Sequence, residues 1–412
     1  MLKIVYPICC GIDVHKTFVV ACIASTNTKG VTTYQSKRFS TYTKNLRALS
    51  AWLSTNNCKD VCMESTGKYW HPVYNILETA CRVVLAHPKY LKAIRGKKTD
   101  KKDAKWIADV FKHDLVSGSF IPPANIRELR DLLRYRVKLT NYMTGEKNRA
   151  QNCLTTSNLQ LDHAFSDVFG KSATAILNHL LEHPEDKNFD VTPFVDRRCK
   201  TPIKEIQLAI DGNISQSQAD KLKIIRAHMD SLELCKLNLE SSILALAEPL
   251  LPQLNLVLSV PGIRDFSAIA ILSEIGTDMS VFPSAKHLCS WAGLAPQCNE
   301  SGGKKKSSRV SRAGVYIKPI LIQCANAVVT SNKHPEIRNR YLAIKKRRGH
   351  KKAIVAIARM LLTAIFHILQ KNEPYNPDLY RRADISPIDR EQQAILLLEK
   401  RGFTVSKTVA VT

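Results

Sequence analysis

Acidic side chains are scarce in this 412-residue sequence, which has 36 Asp and Glu against 61 Lys and Arg. The resulting formal charge of +25 favours a polyanionic partner, either a nucleic acid or an anionic membrane. No apolar run approaches the ~20 residues that a membrane-spanning helix needs. The first ten residues are apolar but lack a cleavage-site pattern, so they do not predict a signal peptide. We therefore expect a cytoplasmic protein that binds nucleic acid and no membrane.

Two common site motifs are also missing. None of the 12 cysteines forms a C-x-x-C pair; Cys58 and Cys62 come closest, and no second pair accompanies them. This pattern argues against a zinc site and favours reduced thiols in the core. Gly67-Lys68 follows a predicted strand, but the first glycine of a G-x-x-x-x-G-K phosphate loop is absent. The sequence therefore does not predict a P-loop nucleotide site.

Strands and helices alternate in the N-terminal part. Apolar and β-branched runs predict two strands within 3–24, joined by a tight turn, and further strands at 32–39, 60–66 and 82–88. Helical spacing predicts helices around residues 46–53, from Tyr69 and from Asp100. This alternation predicts a mixed sheet covered by helices. Groups at strand and helix ends would converge on one side of such a sheet.

Four acids stand at such ends. Thr99 is a suitable N-cap for a helix on which Asp100 and Asp103 share one face, where they repel each other unless a cation lies between them. Asp13 lies inside an apolar strand, and Glu64 ends another. Around Asp100 and Asp103 there is no nearby His or Cys, and carboxylates without such neighbours suit Mg²⁺ or Mn²⁺ rather than zinc. The alternatives are an exposed, charge-laced helix start and an Asp13 that faces water.

The middle of the chain is predicted to be helical. A basic helix is expected over 126–152, and apolar positions between Leu222 and Leu250 alternate spacings of three and four with one lysine, Lys236, among them. The two helices predict a coiled-coil hairpin or a dimer contact; an ordinary bundle helix is the alternative. Residues 155–215 are predicted to form short helices and loops without evident chemistry.

The C-terminal part has two further basic or phosphate-binding candidates. Residues 259–276 place Pro-Gly between two predicted helices, which fits a helix-hairpin-helix that points N–H groups at a phosphate; a plain helical hairpin is the alternative. The basic stretch 345–352 is predicted to begin an amphipathic helix that runs to about residue 369 and to contact a nucleic-acid backbone, with a solvated face as the alternative. It contains Lys345, Lys346, Arg347 and Arg348.

Ser301 precedes two glycines, so it is expected on a flexible loop that a ligand can approach closely. The cations after it would neutralise a phosphate. They are Lys304, Lys305, Lys306, Arg309 and Arg312. From this chemistry alone, a phosphate-binding loop is favoured over a serine nucleophile.

Several of these stretches together resemble the DEDD transposases of the bacterial IS110 insertion-sequence family. The N-terminal matches are Gly11-Ile12-Asp13-Val14, Met63-Glu64-Ser65-Thr66-Gly67 and Lys98-Thr99-Asp100 with Asp103-Ala104. The C-terminal matches are Gly293-Leu294-x-Pro296, Glu300-Ser301-Gly302 and Ser311-Arg312-x-Gly314. One departure is Ile317-Lys318 where the family usually has Leu-Arg, which keeps the charge but loses the bidentate fork. Asp167–Ser172 resembles the insert of a subgroup with a longer middle region.

The resemblance implies a fold and a division of the chain. It implies an α/β RuvC-like, ribonuclease-H-type domain over 1–124, followed by an all-α remainder. That remainder would comprise a coiled-coil region with an insert over 125–250, a C-terminal transposase domain with the helix-hairpin-helix over 251–371, and a peripheral tail over 372–412.

The resemblance also implies an activity. Asp13, Glu64, Asp100 and Asp103 would bind Mg²⁺ or Mn²⁺, and Ser301 would become covalently joined to DNA. Lys97, Lys98 and Lys318 would join the cations named above in binding nucleic acid. The partners implied are donor and target DNA, a noncoding bridge RNA as guide, and further copies of the chain in a dimer or tetramer. The alternatives are a metal-only, junction-resolving nuclease and a non-catalytic nucleic-acid scaffold.

Overall fold

The computed structural model describes residues 2–88, 99–183, 186, 189–296, 299–301, 304–307 and 309–380, with a few positions after 391. It divides into two compact units, Met1–Arg127 and Glu128–Thr412. The predicted contributions of Lys97 and Lys98, and most of the tail after 380, fall outside the described residues.

The first unit contains a five-stranded mixed sheet, which confirms the predicted architecture. Its strands are β1 (Ile8–Val14), β2 (Phe18–Thr26), β3 (Thr32–Ser40), β4 (Asp60–Glu64) and β5 (Arg82–Ala86). Their order is β3-β2-β1-β4-β5, with the first three antiparallel and β1, β4 and β5 parallel. β1 and β2 are buried on both faces, whereas the edge strand β3 is mostly exposed and polar.

Helices cover both faces of this sheet. The helices are α1 (Thr43–Thr55), α2 (Trp70–Leu77) and α3 (Asp100–Lys112). Cys10, Ile12 and Val14 of β1 pack in one core with residues of α1 and α2. Cys9 packs in a second core with Ile107 and Phe111 of α3. Because side chains alternate along a strand, Gly11 and Asp13 belong to the face that α3 covers.

Gly11 allows α3 to lie directly on the sheet. A Cβ atom at this position would lie 2.3 Å from the backbone oxygen of Ala104 and 2.3 Å from the backbone nitrogen of Ala108. The helix is fixed at both ends: Thr99 Oγ1 accepts from Lys102 N at 3.4 Å, which confirms the predicted N-cap, and Lys112 Nζ donates to Tyr34 of β3 at 3.2 Å. The first residue of α3, Asp100, is therefore held close to β1.

In its described residues, the second unit is helical apart from one short hairpin. Its first helices are α4 (Ala124–Thr156), which begins in the first unit, α5 (Leu161–Ala164), α6 (Lys171–Glu182), α7 (Ile203–Ala209) and α8 (Gln216–Ala247). They continue with α9 (Leu251–Leu258), α10 (Asp265–Ile275), α11 (Ala285–Trp291), α12 (Ile317–Thr330), α13 (Pro335–Arg348) and α14 (His350–Lys371). Single 3₁₀ turns occur at Thr192–Phe194, Glu248–Leu250, Met279–Val281 and Pro377–Tyr380.

The long helices α4 and α8 run antiparallel. Arg136 Nη2 lies 2.6 Å from Glu240 Oε1, and His228 Nδ1 lies 3.1 Å from Glu146 Oε1. The predicted apolar side of α8 is its buried side at Leu222, Ile225, Leu232 and Ile243. Leu222 and Ile225 pack into the core of the short helices between α4 and α8, so the insert has a core of its own.

One predicted element is wrong in its boundary. The basic stretch 345–352 is divided between two helices. Lys345, Lys346, Arg347 and Arg348 form the last turn of α13, and only the residues from His350 onward begin α14. Gly349 between them has φ +79°, a conformation that ends a right-handed helix. Cations in a last turn also complement the negative end of the helix dipole.

Two helical segments, Gln216–Leu258 and His350–Lys371, have the length and composition to cross a membrane, contrary to the expectation that no segment does. More than half of the apolar window in the second segment is buried within the protein. Core helices of soluble proteins meet the same criterion, so this is weak evidence for a membrane span.

A buried ion pair ties α4 to the end of α10. Arg134 Nε and Nη2 donate to the two carboxylate oxygens of Glu274 at 2.8 and 2.9 Å, and Glu274 is only 5% exposed. Arg130 donates to the backbone oxygens of Ser273 and Glu274, both at 2.8 Å. These bonds satisfy carbonyls at the end of α10 that have no partner within the helix.

Replacing Glu274 by Ala should therefore destabilise the protein strongly. The change leaves the Arg134 guanidinium without its counter-ion. Because the Arg134 side chain is 38% exposed, water can reach this charge, and we expect a loss of about 1–3 kcal/mol, below that for a fully buried pair. Urea unfolding measures the loss. Glu233→Ala is the matched control, because Glu233 is half-exposed and pairs with Lys236 within one helix turn, an interaction worth about 0.5 kcal/mol. Equal losses in the two variants would contradict a stabilising role for the buried pair.

Candidate functional site

Asp13 and Glu64 lie next to each other on two neighbouring central strands of the sheet. β1 and β4 are parallel, and their last registered pair is Ile12 with Met63. Asp13 and Glu64 are the next residues of the two strands. Asp13 is 8% exposed, and Glu64 is half-buried. The burial of Asp13 confirms the strand-interior prediction and contradicts the alternative in which it faces water.

Asp100 of α3 meets Asp13 at this end of the sheet, together with a residue that the sequence reasoning did not select. His15 Nε2 lies 3.1 Å from Asp13 Oδ2 and 3.6 Å from Asp100 Oδ1. One ligand atom from each of the three side chains lies within 4.8 Å of the others. The His15 ring also packs on Phe18, with centroids 4.5 Å apart. We call Asp13, His15 and Asp100 the acid cluster.

The carboxylates in and beside the acid cluster differ in burial, and Asp13 is the most buried of them. Burial raises the pKa of the Asp13 carboxyl, and the negative charges of Asp100 and Asp103 raise it further, whereas the charge and hydrogen bond of His15 lower it. Asp100 is exposed and Asp103 is half-buried on the same helix. A cation at this position would relieve the desolvation of Asp13 and the repulsion between the carboxylates.

The acid cluster therefore fits a divalent metal ion. Carboxylate oxygens suit Mg²⁺ and Mn²⁺, and an imidazole nitrogen suits Mn²⁺ better than Mg²⁺. Of the four predicted acids, Asp13 and Asp100 lie in the cluster itself. Asp103 acts on Asp13 through its charge, and Glu64 is adjacent to Asp13 in the sheet register. His15 could have been selected from the sequence, because it stands only two residues after Asp13.

Ser301 lies at the end of a β-hairpin, whereas the sequence predicted a flexible loop. It is the last residue of β6 (Asn299–Ser301) and pairs with Lys304, the first residue of β7 (Lys304–Ser307). Lys305 pairs with Glu300, so the predicted cations Lys304, Lys305 and Lys306 occupy the strand opposite the serine. Gly302 and Gly303 lie outside the described residues.

The two C-terminal signature stretches pack directly on each other beneath this hairpin. Gly314 has φ +68°, and a Cβ atom there would lie 2.1 Å from the backbone oxygen of Ala292. Gly293 also has φ +68°, and its Cβ would lie 2.3 Å from the oxygen of Ala313. Pro296 and Val310 form an antiparallel bridge. Only glycine fits these crossings, so the repeated glycines fix the base of the hairpin.

The other predicted cations of this C-terminal signature lie near this base. Arg309 and Arg312 are exposed, and Lys318, at the start of α12, donates from Nζ to the backbone oxygen of Ser311 at 3.1 Å. Lys318 therefore supports the signature stretch through a single bond, as expected for a lysine in place of the bidentate arginine. Within 259–276, residues 259–264 form the connection after α9 (Leu251–Leu258), with Gly262 at φ +83°, and α10 (Asp265–Ile275) follows.

A mixed sheet in this strand order, with an acid cluster at the end of its central strand and a helical remainder, fits a protein with a RuvC-like, ribonuclease-H-type domain. Comparison with known families agrees. The model for DEDD transposases of the IS110 group, described as a transposase, matches residues 10–158, and the model described as the transposase IS116/IS110/IS902 family matches residues 254–342. Together they cover more than half of the sequence, and the chain belongs to the IS110 transposase family.

Pairwise comparison with three individual relatives gives identities between 22% and 31%. The chain is 31% identical over 136 residues to the pilin gene-inverting protein of Moraxella bovis, which covers 31% of this chain and 42% of that protein. It is 22% identical over 321 residues to the transposase for insertion sequence element IS1111A of Coxiella burnetii, covering 76% and 79%. It is 27% identical over 303 residues to a 43.6 kDa protein of insertion element IS110 from Streptomyces coelicolor. The match thus spans about two fifths of the Moraxella relative's length.

Proposed function

We propose that this protein is a transposase that cuts and rejoins DNA of an insertion sequence through a covalent phosphoserine intermediate. The observation that carries the proposal is the presence, in one chain, of the acid cluster and the Ser301 hairpin, each within a region matched to the same transposase family. An acid cluster alone would support nuclease activity, but it would leave the hairpin and its facing lysines without a role.

The proposed chemistry divides between the two units. Asp13, Glu64, Asp100 and Asp103 would hold Mg²⁺ or Mn²⁺, which when bound polarises the scissile phosphate. The Ser301 hydroxyl attacks the phosphorus and loses its proton. A phosphoserine bond forms, and the bond to the leaving DNA hydroxyl breaks. A DNA hydroxyl later displaces the serine. The phosphodiester energy is retained in the covalent link, so joining needs no ATP.

The cations supply binding and charge stabilisation. Lys304, Lys305 and Lys306 lie on the strand facing Ser301, and Arg309 and Arg312 lie at the base of the hairpin. Positive charge here stabilises the additional negative charge of a pentacovalent phosphorus. Lys345 to Arg348 at the end of α13 are exposed and would contact the DNA backbone.

The proposed partners are donor and target DNA, a bridge RNA that pairs with both, and further copies of the chain in a dimer or tetramer. The family resemblance supports the RNA and the assembly. The net charge of +25 supports a nucleic-acid partner of either kind. We also propose a cytoplasmic location in a bacterium, which the resemblance to a bacterial insertion-sequence family supports.

The decisive test is to incubate the full-length protein, its flanking RNA and end-labelled DNA with Mg²⁺, and then to separate the products under denaturing conditions. We expect a protein–DNA adduct that is lost in Ser301→Ala, because alanine has no hydroxyl. Ser307→Ala, at the far end of β7, is the matched control and should retain the adduct. Cleavage that persists without an adduct in Ser301→Ala would instead establish a metal-only nuclease.

A further inference from the structure

A cleft of about 680 Å³ lies in the second unit between α4, α10 and the start of α12. This volume is typical of sites for small molecules or single nucleotides. The lining combines aromatic, cationic and amide side chains. It includes Phe266, Tyr316, Arg134, Arg136, Lys138 and Asn141. Among the described residues, neither the acid cluster nor the Ser301 hairpin contributes to this lining, so the proposed chemistry does not account for the cleft.

Two guanidinium groups in the cleft are held as flat surfaces. The Arg134 guanidinium lies 4.4 Å from the Tyr316 ring centre, and the Arg136 guanidinium lies 4.5 Å from the Phe266 ring centre. Each is also fixed by a carboxylate. Glu274 accepts from Arg134 at 2.8 and 2.9 Å, and Glu240 accepts from Arg136 at 2.7 Å. The cleft therefore contains two preformed stacks of an aromatic ring and a guanidinium.

The carboxylates of Glu274 and Glu240 affect which ligand the cleft can bind, because they offset the charge of the two guanidinium groups. A guanidinium paired with a carboxylate has little net charge left for a phosphate, but its planar face remains available for stacking. Aromatic rings and guanidinium planes are the surfaces on which unpaired bases stack in single-stranded nucleic acid. A flat, uncharged base thus suits this cleft better than a phosphate does.

One cation remains for the backbone of such a nucleotide. Lys138 is exposed on α4 at the cleft, and within the described part of the chain it takes part in no ion pair. The amide of Asn141, one helical turn further along, also lines the cleft. A base between the stacks would therefore have a cation for its phosphate and an amide for its polar edge.

The chain path favours the DNA strand as the source of this base. Tyr316 follows Gly314 by two residues, and Gly314 packs against Ala292 at the base of the Ser301 hairpin. We propose that the cleft binds an unpaired base of the DNA strand near the phosphate that Ser301 attacks, which rests on the proposed DNA-joining function. Holding one base out of the stack would fix the strand for attack.

The test uses the full-length protein and a mixed-sequence single-stranded DNA that carries one 2-aminopurine, whose fluorescence is quenched by stacking. We expect quenching on binding. Tyr316→Leu should abolish the quenching and weaken binding about 5- to 100-fold, with the salt dependence of binding unchanged. Lys138→Ala should keep the quenching but reduce the slope of log K against log salt by about 0.7, the value for one phosphate.

Tyr142→Leu is the matched control, because Tyr142 is an exposed tyrosine of α4 outside the cleft and should leave quenching unchanged. An abasic site in place of the reporter base tests the cleft without altering the protein: wild type should lose affinity for it, and Tyr316→Leu should not. Equal quenching in wild type and Tyr316→Leu, or quenching by RNA alone, would overturn the inference. A Ser301 adduct without quenching would reject the cleft and keep the proposed function; absence of any adduct would reject the function.

Discussion

Replacing Asp13 by Asn is expected to reduce Mg²⁺-dependent DNA cleavage by about 1000-fold or more. Asp13 is the most buried carboxylate of the acid cluster and lies 3.1 Å from His15. Asparagine has nearly the same shape but lacks the charge that would hold a divalent ion. A metal that polarises a phosphate contributes several kcal/mol to the transition state, and each 1.36 kcal/mol is a factor of ten in rate.

The same substitution should stabilise the metal-free protein near neutral pH. Burial raises the pKa of Asp13 above its unfolded value, so the folded state binds more protons between the two pKa values. Wild-type stability is therefore expected to fall as pH rises through that window from about pH 4, and the asparagine cannot titrate. Thermal unfolding in EDTA should show Asp13→Asn above wild type at neutral pH. Added Mg²⁺ should raise the melting temperature of the wild type but not that of Asp13→Asn.

Asp114→Asn provides the control for the loss of one negative charge. Asp114 is exposed in the same unit and has φ +56°, a conformation that asparagine tolerates well. Its activity and its Mg²⁺ response should equal those of the wild type. Wild-type cleavage by Asp13→Asn, with an intact fold, would exclude Asp13 as a metal ligand.

The parts of the fold that could be predicted are those determined by neighbouring residues. β1 and β2 are buried on both faces, so apolar and β-branched runs mark them in the sequence. The Thr99 cap depends on a bond to Lys102, only three residues away. Nine of the eleven described cysteines are buried, as their predicted role in the core requires. Asp13 could be identified as unusual from the sequence, because the apolar residues on either side of it already mark a buried strand.

The features that could not be predicted depend on contacts between residues far apart in the sequence, or on small differences in helical repeat that add up along a long helix. His15 joins the acid cluster only because α3 brings Asp100 to it from far along the chain. The predicted apolar side of α8 drifts: Leu246 is 38% exposed, and Ala247 is buried in its place. A spacing of 3.5 residues falls behind a straight helix of 3.6 residues per turn, and the difference grows along 30-odd residues of helix.

Gly11 fits its strand locally, but its main role is a contact with a helix that is distant in the sequence. In the sequence it is a small residue in an apolar strand, which suggests little about its role. In the fold it is the point where β1 contacts the backbone of α3, at 2.3 Å from where its Cβ would be. The distance between Asp13 and Asp100 is therefore set by the absence of one methyl group.

Gly11→Ala is expected to weaken both the fold and the site. The added methyl must move α3 outward by about 1 Å to reach a normal contact distance. Overpacking of this kind costs about 3 kcal/mol, and a 1 Å misplacement of catalytic groups costs about 100-fold in rate. Thermal unfolding and the rate of Mn²⁺-dependent DNA cleavage, measured on the same preparation, would show the two losses together, and Mn²⁺ affinity would show whether the metal site itself is weakened.

Two further variants separate this contact from a general intolerance of alanine. Gly145→Ala lies in α4, where the new Cβ would meet only the Arg149 side chain at 3.5 Å, so it should stabilise the protein by about 0.5–1 kcal/mol. Adding Ala104→Gly to Gly11→Ala should rescue nothing, because the clash is with the backbone oxygen of residue 104 and not with its side chain. Restored Mn²⁺ binding in that double variant would mean that side-chain bulk, and not the approach of the two backbones, sets the distance from Asp13 to Asp100.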